Sequence, residues 1–194
     1  ESALNAISSK TGAICPVHVL GNAVPIAPLM AAAQDKKLWL IEDTCESLGT
    51  KHNNKFVGTF GDLGTYSFFF SHHMTTIEGG MIVTDNNQLA EMLRAMRAHG
   101  GTRHLKNRSV VEKQHSDIDP RFLFINTGFN LRPTEINAAF GRHQLPKLEK
   151  FNRRRVQIAK IWHEELAELI KNKTILKIDF LKEKYPNHAH KISF

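Results

Sequence analysis

The chain has 194 residues, 41% hydrophobic and 23% charged, with a net charge of +7 and two cysteines. That is the balance of a globular protein with a sizeable core, and no apolar run nears the roughly 18 residues of a membrane span. Glu1-Ser-Ala-Leu-Asn5 lacks the basic start and apolar stretch of a signal peptide, and Cys15 and Cys45 are too few for a disulfide framework, so a reducing cytoplasm is the expected setting.

Ala13 to Val19 reads as a short buried strand ending at Gly21-Asn22. Ile26 to Lys36 reads as a helix with Pro25 near its start. Leu38-Trp-Leu-Ile-Glu-Asp43 is a second apolar strand that ends in two acids. Strand, helix and strand at this spacing suit a parallel sheet, in which ligands bind just past the C-terminal strand ends. Asp43 and Glu46 fall there. The glycine-rich Val57 to Asp62 follows, then strands over Thr65 to Phe70 and Gly80 to Thr84. Gln88 to His99 reads as a helix with Leu89, Met92, Leu93 and Met96 on one face. Residues 100–127 are polar and aperiodic, so they read as a long loop. Pro133 opens a helix running to about Leu145. Arg153 to Ile170 reads as a long amphipathic helix whose stripe of Val156, Ala159, Trp162, Leu166 and Ile170 suits core packing. Lys191 to Phe194 reads as the start of a strand. Many basic residues lie in Lys147 to Arg155 and Lys171 to Lys177, beside no nucleic-acid-binding motif. A solvated helix face or an anionic small substrate accounts for them better than a nucleic acid or a membrane.

The chemistry concentrates in Gly64-Thr-Tyr-Ser-Phe-Phe-Phe-Ser-His-His-Met-Thr-Thr-Ile-Glu-Gly-Gly80. This stretch resembles the cofactor segment of the DegT-type sugar aminotransferases, where a lysine holds pyridoxal phosphate (PLP). Here that position is His72, and an imidazole cannot hold the cofactor covalently as an amine does. The same swap marks the family's 3-dehydratase branch. The resemblance implies an α/β fold, PLP fold type I, with a mostly parallel sheet flanked by helices. It further implies that residues 1–150 are part of the large cofactor-binding domain. Residues 151–194 would be a connecting helix and the start of a small C-terminal domain. Both ends look cut relative to that family.

Residue by residue, the resemblance assigns Asp43, in Glu42-Asp-Thr-Cys-Glu-Ser-Leu-Gly49, to the ring nitrogen of the cofactor. A carboxylate there keeps the ring protonated and electron-withdrawing. The alternative for Asp43 is a strand-end acid bonded to the next turn. Glu46 matches a position near the ring's hydroxyl face, and Ser67 matches a phosphate-binding serine. Asn130 matches an asparagine that reaches the neighbouring subunit's cofactor phosphate, which implies a homodimer with shared active sites. His72 is then the catalytic residue, since imidazole suits proton transfer near neutral pH. His73 reads as supporting or structural. No metal ligand set is expected, and no cysteine after Cys45 is present to hold the iron–sulfur cluster of one dehydratase branch. The implied cofactor is PLP or its amine form, pyridoxamine phosphate (PMP), with a nucleotide-linked ketosugar as substrate and L-glutamate as amino donor. The implied reaction removes the C3 hydroxyl of a nucleotide-linked 4-keto-6-deoxy sugar, as in deoxysugar and O-antigen synthesis. A sugar aminotransferase, or a non-catalytic binder of nucleotide sugars, is the alternative.

Overall fold

The structure is a computed structural model, and residues 1–172 are those it describes. Two compact units are present: Glu1–Val83 together with the chain from Ile136 onward, and Thr84–Glu135.

The first unit begins with a short helix α1 (Ser2–Asn5) and is built on a four-stranded sheet. Its strands are β1 (Ala13–Ile14), β2 (Trp39–Asp43), β5 (Leu63–Ser67) and β6 (Gly80–Val83), in spatial order β1-β2-β5-β6. The first three run parallel and β6 runs antiparallel to β5, so the expected mostly parallel sheet is present. The helix α2 (Ile26–Lys36) connects β1 to β2 and ends where Lys37 turns left-handed at φ 53°. Ile14, Ile26, Ala33 and Leu40 form the core between helix and sheet. A hairpin, β3 (Lys51–His52) with β4 (Lys55–Phe56), turns at Asn53 and Asn54, both at positive φ. Paired left-handed residues suit the right-handed twist of the strands, and asparagine tolerates them.

Several expected boundaries move. Pro16 breaks the strand expected over residues 13–19, leaving Val17 joined to Asp43 by one isolated bridge. Pairing in β5 stops at Ser67, because Phe68 to Phe70 leave the ladder to enter a loop. The helix expected from Pro133 is α5 (Glu135–Gln144). The long amphipathic helix starts earlier, as α6 (Leu148–Glu165), and a break at Leu166 separates it from α7 (Ala167–Lys171). Its apolar stripe is only partly packed: Ala159 is buried, but Trp162 is 42% exposed. The strand expected at Lys191 to Phe194 lies outside the described residues.

In the second unit, α3 (Asn87–Met96) is capped by the Asn86 side chain, which accepts from the Gln88 and Leu89 N–H groups. The region expected as an unbroken loop contains α4 (Arg108–Gln114) and a single 3-10 turn at Pro120–Phe122. An Arg108–Glu112 ion pair one turn apart supports α4, a local device that leaves no apolar periodicity to read. Residues 124 and 130 return antiparallel to Gly101 and Ala98.

Candidate active site

Successive side chains of a strand face opposite sides of its sheet. Glu42 and Asp43 therefore point to opposite faces of β2. Register fixes their neighbours: Glu42 lies beside Gly64 and Asp43 beside Thr65. Ser67, two residues beyond Thr65, shares the Asp43 face.

On the other face Glu42 is wholly buried, as is His18. Its Oε2 accepts from His18 Nε2 at 3.0 Å and from Gly58 N–H at 2.8 Å. Its Oε1 accepts from Phe60 and Gly61 N–H at 2.6 and 2.8 Å. Val24 N–H donates to His18 Nδ1, which places the imidazole proton on Nε2, facing the carboxylate. Burial pushes the Glu42 carboxyl up, but the bonds from His18 and the three backbone N–H groups outweigh it. They leave Glu42 below its usual value. The cage needs the 57–61 segment pressed against the sheet, and a side chain at Gly64 would collide with Gly58 backbone. Tyr66 ties the same segment by donating to Val57 O at 2.7 Å. Its phenol is pushed up by burial and then by the Glu42 charge.

On the Asp43 face the acid is half-buried. Its Oδ1 accepts from Cys45 N–H at 3.0 Å, so the strand-end turn is real. The other oxygen accepts no backbone N–H among the described residues, and the carboxylate also takes a hydrogen bond from the Cys45 thiol. Burial, then Asp43 beside it, pushes the Cys45 thiol up to about 11. Glu46 reaches back along the chain, its Oε2 accepting from Leu20 N–H at 2.8 Å. Leu20 is left-handed at φ 52°, and Glu46 holds it there. His18 N–H bonds to Asp43 O at 2.9 Å, Ser47 Oγ donates to His18 O, and Thr50 Oγ1 donates to Gly21 O at 3.0 Å. Residues 18–21 are thus stitched along the segment that follows Asp43.

Ser67 closes β5, and its Oγ accepts from Phe69 N–H at 3.2 Å, leaving the hydroxyl proton for another acceptor. The loop beyond it closes at its neck: Phe68 N–H bonds to Gly79 O and Thr76 N–H to Phe68 O, each at 2.9 Å. His72 sits between these ties, half-buried, its N–H bonded to Phe69 O and its ring edge-on to Phe69 at 6.1 Å between centroids. His73 is buried. Lys51 and Lys55 stay on the β3–β4 hairpin, over the rings of Phe56 and Phe60. Asn130 lies exposed in the second unit, at the bridge to Ala98.

Of the residues singled out from sequence, the fold of the first unit brings Asp43 and Ser67 to one sheet face. It places Glu46 just after β2 and His72 just after β5. The His18–Glu42 pair had escaped notice. Its signal was a histidine continuing the buried alternation of Ile14 and Pro16, and an acid one residue before Asp43. Among the described residues no group of His, Cys, Asp and Glu could hold a metal, and no helix is long and apolar enough to cross a membrane. A phosphorylated pyridine fits the residues present: Asp43 offers an acceptor to a protonated ring nitrogen, and Ser67 a donor to phosphate. No lysine lies between Gly64 and Gly80 to anchor it.

The description "DegT/DnrJ/EryC1/StrS aminotransferase family" matches residues 1–192. The chain is 42% identical over 163 residues to a GDP-4-keto-6-deoxy-D-mannose 3-dehydratase of Yersinia pseudotuberculosis, covering 82% of this chain and 41% of that protein. An E. coli GDP-4-keto-6-deoxy-D-mannose-3-dehydratase with bound hydrated PLP superposes with a TM-score of 0.77 at 38% identity, over 86% of this chain and 43% of that one. A GDP-4-keto-6-deoxymannose-3-dehydratase structure with a trapped PLP-glutamate adduct gives a TM-score of 0.77 at 37% identity, over 86% and 44%. The chain thus spans about two-fifths of the length of the relatives it matches.

Proposed function

Because the chain belongs to the DegT/DnrJ/EryC1/StrS aminotransferase family, we propose that it is part of a PMP-dependent 3-dehydratase. The substrate is a nucleotide-linked 4-keto-6-deoxy sugar, and the C3 hydroxyl is removed. The observation that carries this reading is the half-buried imidazole of His72 after β5, in a segment without lysine. When bound, PMP supplies an amine for the C4 ketone and a ring that takes up an electron pair. Asp43 holds the proton on the ring nitrogen. Ser67 donates to the phosphate, Glu46 lies near the ring hydroxyl, and Asn130 serves the phosphate of the neighbouring subunit in a homodimer. His72 takes a proton from carbon as base and returns one to the departing C3 hydroxyl, which leaves as water. L-Glutamate is the amino donor. Residues 1–150 are part of the cofactor-binding domain and 151–194 lead into the small domain. The two cysteines, both free, suit a cytoplasmic enzyme.

Support comes from the two dehydratase structures named above, one with PLP and one with a PLP-glutamate adduct. An aminotransferase reading is disfavoured because Lys51 and Lys55 are held on the hairpin. The test uses the full-length enzyme with PMP, GDP-4-keto-6-deoxymannose and glutamate. Mass spectrometry then follows 3-deoxy sugar and 2-oxoglutarate, with His72→Asn alongside. Deoxy sugar lost in the variant supports the reading, whereas an amino sugar from the wild type overturns it.

A further inference from the structure

Ile77 is a β-branched residue held at φ 73°, in the region that such side chains rarely adopt. It sits on the return leg of the loop that carries His72. Local bonds surround it: Ile77 N–H donates to Thr75 Oγ1, and Thr76 Oγ1 donates to Glu78 O, both at 2.8 Å. These belong to the turn itself and move with it. Among the described residues, a side chain of α5 reaches it from elsewhere in the unit. Asn137, in the first turns of α5, donates from Nδ2 to Thr76 O at 2.6 Å and to Glu78 O at 3.2 Å. Both partners are carbonyls, so the amide can face them only with its NH2 group. Its two protons thus span the strained residue from either side. One helical turn on, Gly141 lets α5 approach: a side-chain carbon there would meet the Thr76 methyl at 2.9 Å.

We propose that Asn137 is a positioning residue for His72, holding the Ile77 turn left-handed and with it the neck of the 68–79 loop. Thr76 both accepts from Asn137 and donates to Phe68 O, so the tie acts where the loop closes. Without it Ile77 is free to relax toward negative φ, which changes the direction of the chain at Thr76 and displaces His72. Strain kept by outside contacts near a reacting group is a known way of fixing geometry. The inference rests on the reading of His72 as the proton-transfer group.

The test compares full-length wild type with Asn137→Ala, Ile77→Gly and the double variant. Two readouts apply: the rate at which diethyl pyrocarbonate modifies His72 in the cofactor-free protein, and kcat with KM for the ketosugar. Asn137→Ala is expected to change the His72 modification rate severalfold. It should also lower kcat about 10- to 100-fold with little change in KM, the scale on which small misplacements act. Asn137→Asp, which keeps the shape but loses the donors, should do the same. In the Ile77→Gly background both effects of Asn137→Ala should largely vanish, because glycine holds positive φ without a tie. Equal effects in the two backgrounds overturn the proposal. So does a lower thermal midpoint with His72 modification and kcat unchanged, which would make Asn137 a fold-stabilising residue only. If wild type makes no deoxy sugar, the dehydratase reading fails, while the modification rates still decide whether Asn137 sets the position of His72.

Discussion

The end of β2 and the loop after β5 belong to one unit, yet they are held by different means. Glu42 is fully buried and accepts four hydrogen bonds, from one side chain and three backbone groups of a different segment. Each oxygen is satisfied twice, so removing any one donor leaves the others in place. The His72 loop has backbone bonds at its neck, local side-chain bonds of Thr75 and Thr76, and the Asn137 amide bonded to a carbonyl pair. Its apolar residues are also more open: Phe70 is 69% exposed and Ile77 50%. These redundant bonds fix the end of β2, and with it the backbone of the adjacent Asp43, whose N–H and C=O are themselves bonded to Pro16 O and His18 N–H.

The two regions should therefore respond differently to single substitutions. The largest effect expected is on turnover, from His72→Asn in the full-length enzyme. Removing the group proposed above for proton transfer should lower kcat by about 10²- to 10⁴-fold. The thermal midpoint should stay near wild type, because the hydrogen bond shown for His72 is made by its backbone. A large fall in the midpoint would mean that His72 supports the loop as well as the chemistry.

The contrast also decides what the sequence could disclose. The parallel sheet was legible because β1 and β2 are apolar runs at crossover spacing, and apolar periodicity reports burial directly. Asp43, Ser67 and His72 were singled out only through two segments, 42–49 and 64–80, that resemble those of the family. The Glu42 cage was not, since its donors are backbone groups of Gly58, Phe60 and Gly61. Backbone donors carry no residue identity. Asn137 was missed for a related reason, because its partners are carbonyls 61 and 59 residues away in sequence. The 100–127 region was misread as loop because α4 is held by an ion pair. The end of β5 was set by where pairing stops, which three consecutive phenylalanines conceal.

At the β2 end the expected effect is on stability. Glu42→Gln turns one accepting oxygen into a donor facing N–H groups, and burial leaves no water to compensate. A loss of about 2–4 kcal/mol is expected, read by urea denaturation of the full-length enzyme. A loss below about 0.5 kcal/mol would show that the cage is redundant beyond its bonding. The pH dependence sharpens this. The folded-state pKa of Glu42 is lowered, so the unfolded chain binds the proton more readily. Its contribution is therefore complete above the ordinary carboxylate range, about 4.3. It is lost as pH falls through the lower folded value. The stability gap between wild type and Glu42→Gln should be widest at neutral pH and shrink below about pH 4. A gap that widened on acidification would reverse the sign and sink the account.

The smallest effect probes the opposite face of the same strand. Cys45 follows Asp43 by two residues, and burial followed by contact with the Asp43 carboxylate raises its thiol to about 11. The thiolate is the reacting form. At pH 8 a thiol at 11 holds roughly 200-fold less thiolate than an ordinary one near 8.5. Alkylation of Cys45 by iodoacetamide should accordingly be slow and rise with pH towards 11, as followed by peptide mass spectrometry. Asp43→Asn removes the negative charge but leaves the burial, so the profile should move part of the way back to lower pH. An unmoved profile would mean that burial and the Glu46 charge set the thiol and that the Asp43 carboxylate points elsewhere. That outcome would also weaken the assignment of Asp43 to a ring nitrogen, because its charge would then not be held at the strand end. The measurement needs no cofactor or substrate, so it tests this half of the site independently of turnover.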